Sequence, residues 1–153
     1  MKLVGKEYRC INPIPSHYHG DVQDVLVEYN AFIYIYIYDE EIALRSTTNA
    51  LHIDTSRFGN LNEGLRKTRL KNIRRRIEVN KSPSSISKYK LDGLSISMSW
   101  VIRDMEISFE GNIMLEGDAI KGTFFKNGKV NVQEQVYYNI EKPLPTNLIE
   151  NDA

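Results

Sequence analysis

Three consecutive arginines, Arg74–Arg76, are the local feature of this sequence with the clearest chemical meaning. A guanidinium group is planar and binds carboxylate or phosphate oxygens through two parallel hydrogen bonds. If the segment Leu70–Asn80 forms a strand, Arg75 lies on the opposite face from Arg74 and Arg76. The run therefore predicts an anion-binding group, and a solvated basic surface is the alternative.

A second feature is the alternation of isoleucines with aromatic residues in the segment AFIYIYIY, residues 31–38. As a strand, this segment places its isoleucines on one face and its aromatic residues on the other: Phe32, Tyr34, Tyr36 and Tyr38. A strand that is apolar on both faces must be covered on both, or must line a cavity with one of them. We predict that the tyrosines contact a ligand. The alternatives are core packing and a surface for a partner protein.

Two single residues complete the predicted ligand-binding set. Glu134 is in phase with Val132 and Val136, so it is predicted to point into the protein, where burial would raise the pKa of its carboxyl. The alternatives are a bulge that returns Glu134 to solvent and an ion pair with an arginine. Trp100 is the only tryptophan and lies on the apolar face of its strand.

The sequence offers little for metal binding or catalysis. His17 and His19 share a side of an extended segment, but zinc wants a third ligand and His52 is the only other histidine, so we favour a solvated loop. The single cysteine, Cys10, rules out a disulfide framework and is expected to be a small buried residue of the first strand. No serine–histidine–acid arrangement or glycine-rich phosphate loop is present. We expect no metal, no cofactor and no enzymatic activity. A barrel-type enzyme using Glu134 as acid or base is the least supported reading.

The elements that must position these residues are mostly strands. From Leu94 to Phe125, apolar and polar residues alternate with period two. Short turns interrupt the alternation at Arg103–Asp104, at Glu116–Asp118 and at the Asn-Gly pair Asn127–Gly128. Such connections join antiparallel neighbours, so this part of the chain is predicted to be a β-meander.

Earlier elements are harder to assign. Val25–Tyr38 is predicted to be a strand that turns at Asp39–Glu40, and Asn12–Gly20, with two prolines, a loop. A short helix is predicted in the 60–70 region, near Asn62–Arg69, followed by a strand over Leu70–Asn80. Closing the sheet into a barrel would remove exposed apolar edges. The predicted fold is therefore all-β, a small antiparallel up-and-down barrel of about eight strands with one short helix. Residues 1–145 form the predicted single domain and residues 146–153 a disordered tail.

The motif Gly111-Asn112-Ile113, followed by Gly122-Thr123-Phe124, resembles the late strands of small calycin-like (lipocalin-type) barrels. Gly5 and Tyr8 match the glycine–aromatic spacing often found in their first strand. The tryptophan typical of the lipocalin first strand is absent. The resemblance covers the last third of the chain and implies a pocket along the barrel axis, without naming a ligand.

Charge is balanced overall but segregated along the chain. The formal net charge of the 153 residues is zero. Residues 57–81 contain nine basic and two acidic residues, nine minus two or +7, so the remainder sums to −7. A neutral protein is not expected to bind a nucleic acid duplex. No stretch is long and apolar enough for a membrane span and no secretory signal is visible, so the chain is expected to be cytoplasmic.

These patterns predict a non-enzymatic binding module for a small anionic or amphipathic ligand. Arginine and tyrosine side chains would hold a nucleotide-like or carboxylate-bearing compound. The alternative is a protein-interaction module, such as an inhibitor or immunity-type protein, whose charge-segregated surface steers a partner.

Overall fold

The structure is a computed structural model that describes residues 2–19, 26–54, 62–77, 85–102 and 104–146. At 16–19, 26–27, 49–53, 76–77, 85–86 and 102 only the backbone is described. The described residues contain nine strands: β1 Glu7–Cys10, β2 Ile14–His19, β3 Leu26–Ile37, β4 Glu41–Ile53, β5 Ser85–Asp92, β6 Ser95–Ile102, β7 Met105–Met114, β8 Ala119–Lys126 and β9 Lys129–Asn139. The helix α1 spans Glu63–Ile77, and a short 3-10 helix spans Leu115–Gly117.

Eight of the strands close into an antiparallel barrel. Strands β3 to β9 follow one another around the sheet as a meander, and β1 closes it by pairing with both β9 and β3. In this closing strand Tyr8 lies opposite Asn139 on one side and Ile35 on the other. The predicted all-β fold, an up-and-down barrel with one helix, is confirmed. Strand β2 is an additional strand that pairs with β3.

Two turns of the predicted meander, at Glu116–Asp118 and Asn127–Gly128, lie between paired strands as expected, whereas Arg103 of the third lies outside the described residues. Asn127 and Gly128 both have positive φ angles, 49° and 79°, as a two-residue type I′ hairpin turn requires. The Asn127 side chain also accepts a hydrogen bond from the Glu106 backbone N–H at 3.0 Å. This turn is therefore tied to the neighbouring β6–β7 hairpin as well.

Aromatic rings pack inside the barrel. The ring centroid of Phe109 lies 4.6 Å from that of Phe124 and 5.8 Å from that of Tyr137. The largest fully buried side chains are Tyr8, Tyr137, Phe109, Ile35, Ile37, Ile42, Ile96, Ile120 and Cys10. The isoleucines of segment 31–38 thus face the core, and the tyrosines that alternate with them face the other way.

Two glycines make this packing possible. Gly111 and Gly122 lie opposite each other in β7 and β8. A Cβ atom on Gly122 would stand 2.3 Å from Cζ of Phe109 and 2.7 Å from the Glu110 carbonyl oxygen. Both glycines leave room for the Phe109 ring, which gives the Gly–x–Ile and Gly–Thr–Phe motif a packing role.

Contacts group the chain into two compact units. The first contains the barrel: β1, residues 33–37 of β3, residues 41–45 of β4, and β5 to β9. The second contains β2, the remaining parts of β3 and β4, and α1. The predicted limits of the domain, 1–145, and of the tail, 146–153, stay predictions, and residues 147–153 lie outside the described residues.

The predicted strand over Leu70–Asn80 is wrong as far as Ile77, because α1 continues to that residue, and residues 78–80 lie outside the described residues. Ile73 and Ile77 are four residues apart, a spacing that fits a helix as well as a strand, and the intervening arginines are good helix formers. Asn62 caps the helix: its side-chain oxygen accepts a hydrogen bond from the Leu65 backbone N–H at 2.9 Å. In the described residues no helix is long and apolar enough to cross a membrane.

The predicted loop over Asn12–Gly20 is also corrected, since Ile14–His19 pairs with β3 from Ala31 to Leu26. Pro15 is compatible with this strand because β2 is the last strand of the sheet order. An edge strand tolerates the missing proline N–H on its unpaired side.

We expect Gly122→Ala to lower the free energy of unfolding by about 3 kcal/mol, because the new methyl group meets backbone as well as the Phe109 ring. Gly64→Ala is the matched control, since its Cβ would meet only the Asn62 side chain at 3.5 Å. That change should leave stability unchanged or raise it by up to about 1 kcal/mol. Urea unfolding followed by circular dichroism measures both. Equal effects of the two substitutions would contradict the packing role of Gly122.

Candidate functional site

Strand β1 places Arg9 between a tyrosine of β9 and a tyrosine of β3. Tyr8 and Cys10 are fully buried in the barrel, so Arg9, between them, faces outward and is exposed. In the sheet register Arg9 lies opposite Tyr138 of β9 and opposite Tyr34 of β3. Closure of the barrel therefore produces a Tyr–Arg–Tyr row across three strands.

Arg45 of β4 extends this row. Its guanidinium carbon lies 3.7 Å from the centroid of the Tyr34 ring, a cation–π contact. Its Nη2 also donates to Oε1 of Glu7 at 2.5 Å. Stacking and ion pairing together hold the guanidinium at two points, so its position is largely set before any ligand arrives.

A third basic group comes from the segment after β9. Lys142 Nζ lies 3.0 Å from Oδ2 of Asp118. Asp118 also accepts hydrogen bonds from Asn139 Nδ2 at 3.2 Å and from Lys6 Nζ at 3.4 Å. The hydrogen bond from Lys142, then those from Asn139 and Lys6, lower the pKa of Asp118 against the opposing effect of desolvation. Asp118 is therefore ionised at neutral pH, and the hydrogen bond to Asp118 raises the pKa of Lys142.

These three basic residues line a single pocket of about 430 Å³. The other lining residues are Cys10, Ile11, Tyr34, Tyr138, Asn139, Ile140 and Leu144. The described lining thus contains three cations and no carboxylate. Its wall is partly apolar, because Ile11 and Leu144 pack against the buried cluster of Ala119, Val136 and Tyr138. Such a pocket suits an anion that also carries an apolar or planar part.

Cys10 is not an activated nucleophile. The Ile33 backbone N–H donates to its sulfur at 3.3 Å, and burial raises the pKa of the thiol. The side chain is therefore protonated at neutral pH, whereas a nucleophilic cysteine acts as the thiolate. This agrees with the expectation that Cys10 is a small buried residue.

Of the predicted ligand-binding tyrosines, only Tyr34 lines this pocket. Tyr36 and Tyr38 lie on the same outward face, with ring centroids 4.6 Å apart, and Tyr38 is 45% exposed. Trp100 shares the face of Ile96 and Met98, and its indole nitrogen is buried without a hydrogen-bond partner. The tyrosine segment is thus divided between the pocket and open surface.

The predicted charged residues are not among the described lining of this pocket. Glu134 is exposed and forms an ion pair with Lys121 at 3.7 Å. A register shift between β8 and β9 near Gly122 changes the phase of the strand and turns this side chain to solvent. Arg74 and Arg75 belong to the second unit and are exposed on α1, where they line a groove with other residues of the same helix. The Arg76 side chain lies outside the described residues.

Arg9, Arg45 and Lys142 were missed by the sequence prediction, although one signal was available. Across the Asp39–Glu40 turn the Tyr38 N–H donates to the Glu41 carbonyl oxygen at 2.8 Å. Tyr38 and Glu41 are therefore a hydrogen-bonded pair of the β3–β4 hairpin. Moving four residues away from the turn along each strand brings Tyr34 opposite Arg45. Arg9 and Lys142 had no comparable signal, because their neighbours are set by barrel closure.

His17 and His19 lie in β2, and their side chains are outside the described residues. Among the side chains that the structure describes, no three histidine, cysteine or acidic residues are placed to hold a metal ion.

Comparison of the chain with protein-family models, with curated proteins and with solved structures found no match.

We expect Asp118→Asn to lower the thermal midpoint at pH 7, because the ionised Asp118 accepts hydrogen bonds from two lysines. Its folded pKa is lowered, so its stabilising effect is complete above the unfolded pKa of about 3.9 and is lost as the pH falls through the folded pKa. The difference in midpoint between wild type and variant should therefore be constant above about pH 5 and shrink below about pH 4. Thermal melts between pH 3 and pH 7 measure it, and a difference that grows with acidification would contradict the assigned ion pairs.

Proposed function

We propose that this protein is a non-enzymatic binding module for a small anionic ligand, held in the pocket that Arg9, Arg45 and Lys142 line. The ligand would carry a phosphate or carboxylate group next to a planar or apolar part, as a nucleotide-like or aromatic carboxylate compound does. This keeps the ligand class indicated by the sequence. The basic groups that bind the ligand are now the pocket residues and no longer Arg74–Arg76.

The observation that carries the proposal is the convergence of three basic side chains on one concave surface whose described lining has no acid. Glu7 pairs with Arg45 and Asp118 pairs with Lys142, but neither acid is among the described lining, so the lining itself is positive. Arginine supports oxyanion binding by bidentate hydrogen bonding, and lysine adds a mobile point charge. An anion in the pocket would meet three basic groups at once.

The tyrosines and aliphatic residues of the pocket would contact the planar or apolar part of the ligand. Tyr34 carries the Arg45 guanidinium on its face, and Tyr138 is only 9% exposed. Ile11, Ile140 and Leu144 add apolar contact area. A free inorganic anion would use the cations but not this wall, so we expect tighter binding of an anion with an attached ring.

Binding is favoured over catalysis by the state of the nearby acids. Glu7 forms an ion pair with Arg45. The lowered pKa of Asp118 makes this carboxyl a poor proton donor at neutral pH. The buried thiol of Cys10 is protonated. The pKa of Asp118 is shifted down and that of Cys10 up, in both cases away from the neutral range that general acid–base chemistry needs.

We also propose that the barrel is calycin-like. The closed meander of eight antiparallel strands and the paired glycines of the Gly–x–Ile and Gly–Thr–Phe motif support this. In this chain the barrel interior holds Phe109, Phe124 and Tyr137. The proposed ligand site therefore uses the outward side of the wall rather than the axis.

The first test is native mass spectrometry of the protein purified from its own host, compared with the denatured mass. An added mass of a few hundred daltons that is lost on denaturation would support a bound small molecule. The direct test is isothermal titration calorimetry with ADP, adenosine, benzoate and inorganic phosphate as probes. We expect ADP or benzoate to bind more tightly than phosphate, and adenosine to bind least.

We expect Arg9→Gln and Arg45→Gln each to weaken binding of the best probe by about ten- to a hundredfold, the loss that follows from removing a hydrogen bond to a charged group. Arg75→Gln on α1 is the matched control and should leave affinity unchanged. Circular dichroism confirms that each variant is folded. Unchanged affinity in both pocket variants would overturn the proposal, and loss of binding in Arg75→Gln alone would return the site to the arginine run.

A further inference from the structure

The helix α1 carries a large positive net charge. Its 15 residues include seven bases and one acid, seven minus one or a net +6. Since the whole chain is neutral, the remaining residues sum to −6. The positive charge is therefore concentrated in one short element.

The charge is arranged along one side of the helix. Lys67, Lys71, Arg74 and Arg75 are exposed and, with Leu70, are the described residues that line a groove of about 460 Å³. Positions three, four, seven and eight apart share a helix face. From Lys67 to Arg75 the stripe runs about 12 Å, at roughly 1.5 Å per residue.

This stripe is unfavourable for the helix by itself. Like charges four residues apart, such as Lys67 with Lys71 and Lys71 with Arg75, destabilise a helix. Lys67 pairs with Glu63 at 3.6 Å, where both side chains are more than three-quarters exposed. Solvent screens such a pair, so it offsets little of the repulsion. A polyanion laid along the stripe would remove this repulsion.

We propose that α1 is a binding surface for the phosphate backbone of a single-stranded nucleic acid. The four cations of the stripe can contact up to about four phosphates of such a strand, one for each cation. A single strand has half the charge density of a duplex, so the −6 charge of the remaining residues repels it less. Contact would be with phosphates and not with bases, because α1 contains no aromatic residue on which bases could stack.

Two other polyanionic partners fit the stripe less well. A protein interface is usually anchored by aromatic or aliphatic side chains and is depleted in lysine, whereas Leu70 is the only apolar residue in the described lining of the groove. A membrane-surface helix needs a continuous apolar face, but Leu65 is 55% exposed on a helix with scattered apolar positions. These partners become outcomes of the test.

The experiment is fluorescence anisotropy of the full chain with a labelled 20-nucleotide oligo-dT strand, at salt concentrations from about 50 to 300 mM. We expect a Kd on the order of 10 µM at the lowest salt and a slope of log affinity against log salt of about −3, from about four phosphate contacts. A duplex of the same length and anionic phospholipid vesicles are the competing partners. Absence of strand binding at 50 mM salt, or tighter binding of the duplex or vesicles, would overturn the proposal.

The test variant replaces Lys67, Lys71, Arg74 and Arg75 by glutamine, which has a helix propensity close to that of lysine and arginine. The matched control makes the same change at four exposed lysines of the barrel: Lys88, Lys90, Lys126 and Lys129. We expect at least tenfold weaker strand binding in the helix variant, with a shallower salt slope, and less than a twofold change in the control. Equal losses in both would show that overall charge, and not α1, determines binding. The double variant at Lys67 and Lys71 should give an intermediate loss.

Discussion

Closure of the barrel by β1 is the constraint on which the other features depend. Four residues, Glu7–Cys10, pair with β9 on one side and β3 on the other. Without them two long strands would expose unpaired edges, and the apolar interior would open between them. The same closure turns Arg9 outward between Tyr34 and Tyr138. The core and the candidate site are therefore made by one short strand.

A polar network stabilises this closure from one end of the strand. The Tyr8 hydroxyl donates to the Gly117 carbonyl oxygen, and Lys6 reaches both that oxygen and Asp118. Asp118 in turn binds Asn139 and Lys142. The carboxylate thus connects the start of the chain, the β7–β8 turn and the segment after β9. Because Lys142 also lines the pocket, the stability of the barrel and the geometry of the pocket depend on the same ion pairs.

Much of the barrel was predictable from the sequence, because strands and tight turns are specified by residues that are close together in the chain. Strict alternation identified β6 and β7, and Asn127–Gly128 marked the β8–β9 hairpin through its positive φ angles. Prediction failed where local patterns were ambiguous. Ile73 and Ile77 fit either period, and the helix prevailed because arginine and lysine favour it. Pro15 suggested a loop, yet pairing with β3 accommodates it in an edge strand.

Local sequence patterns were enough to predict the fold class, the meander and the strongly basic segment, since alternation, turn residues and charge are properties of neighbours in the chain. Which charges come together depends on the tertiary structure. Arg9, Arg45 and Lys142 are 36 and 97 residues apart in sequence, 45 minus 9 and 142 minus 45, and come together because closure sets the register of four strands. A bulge likewise turned Glu134 to solvent. Register and bulges depend on how distant strands pair, which no local pattern specifies.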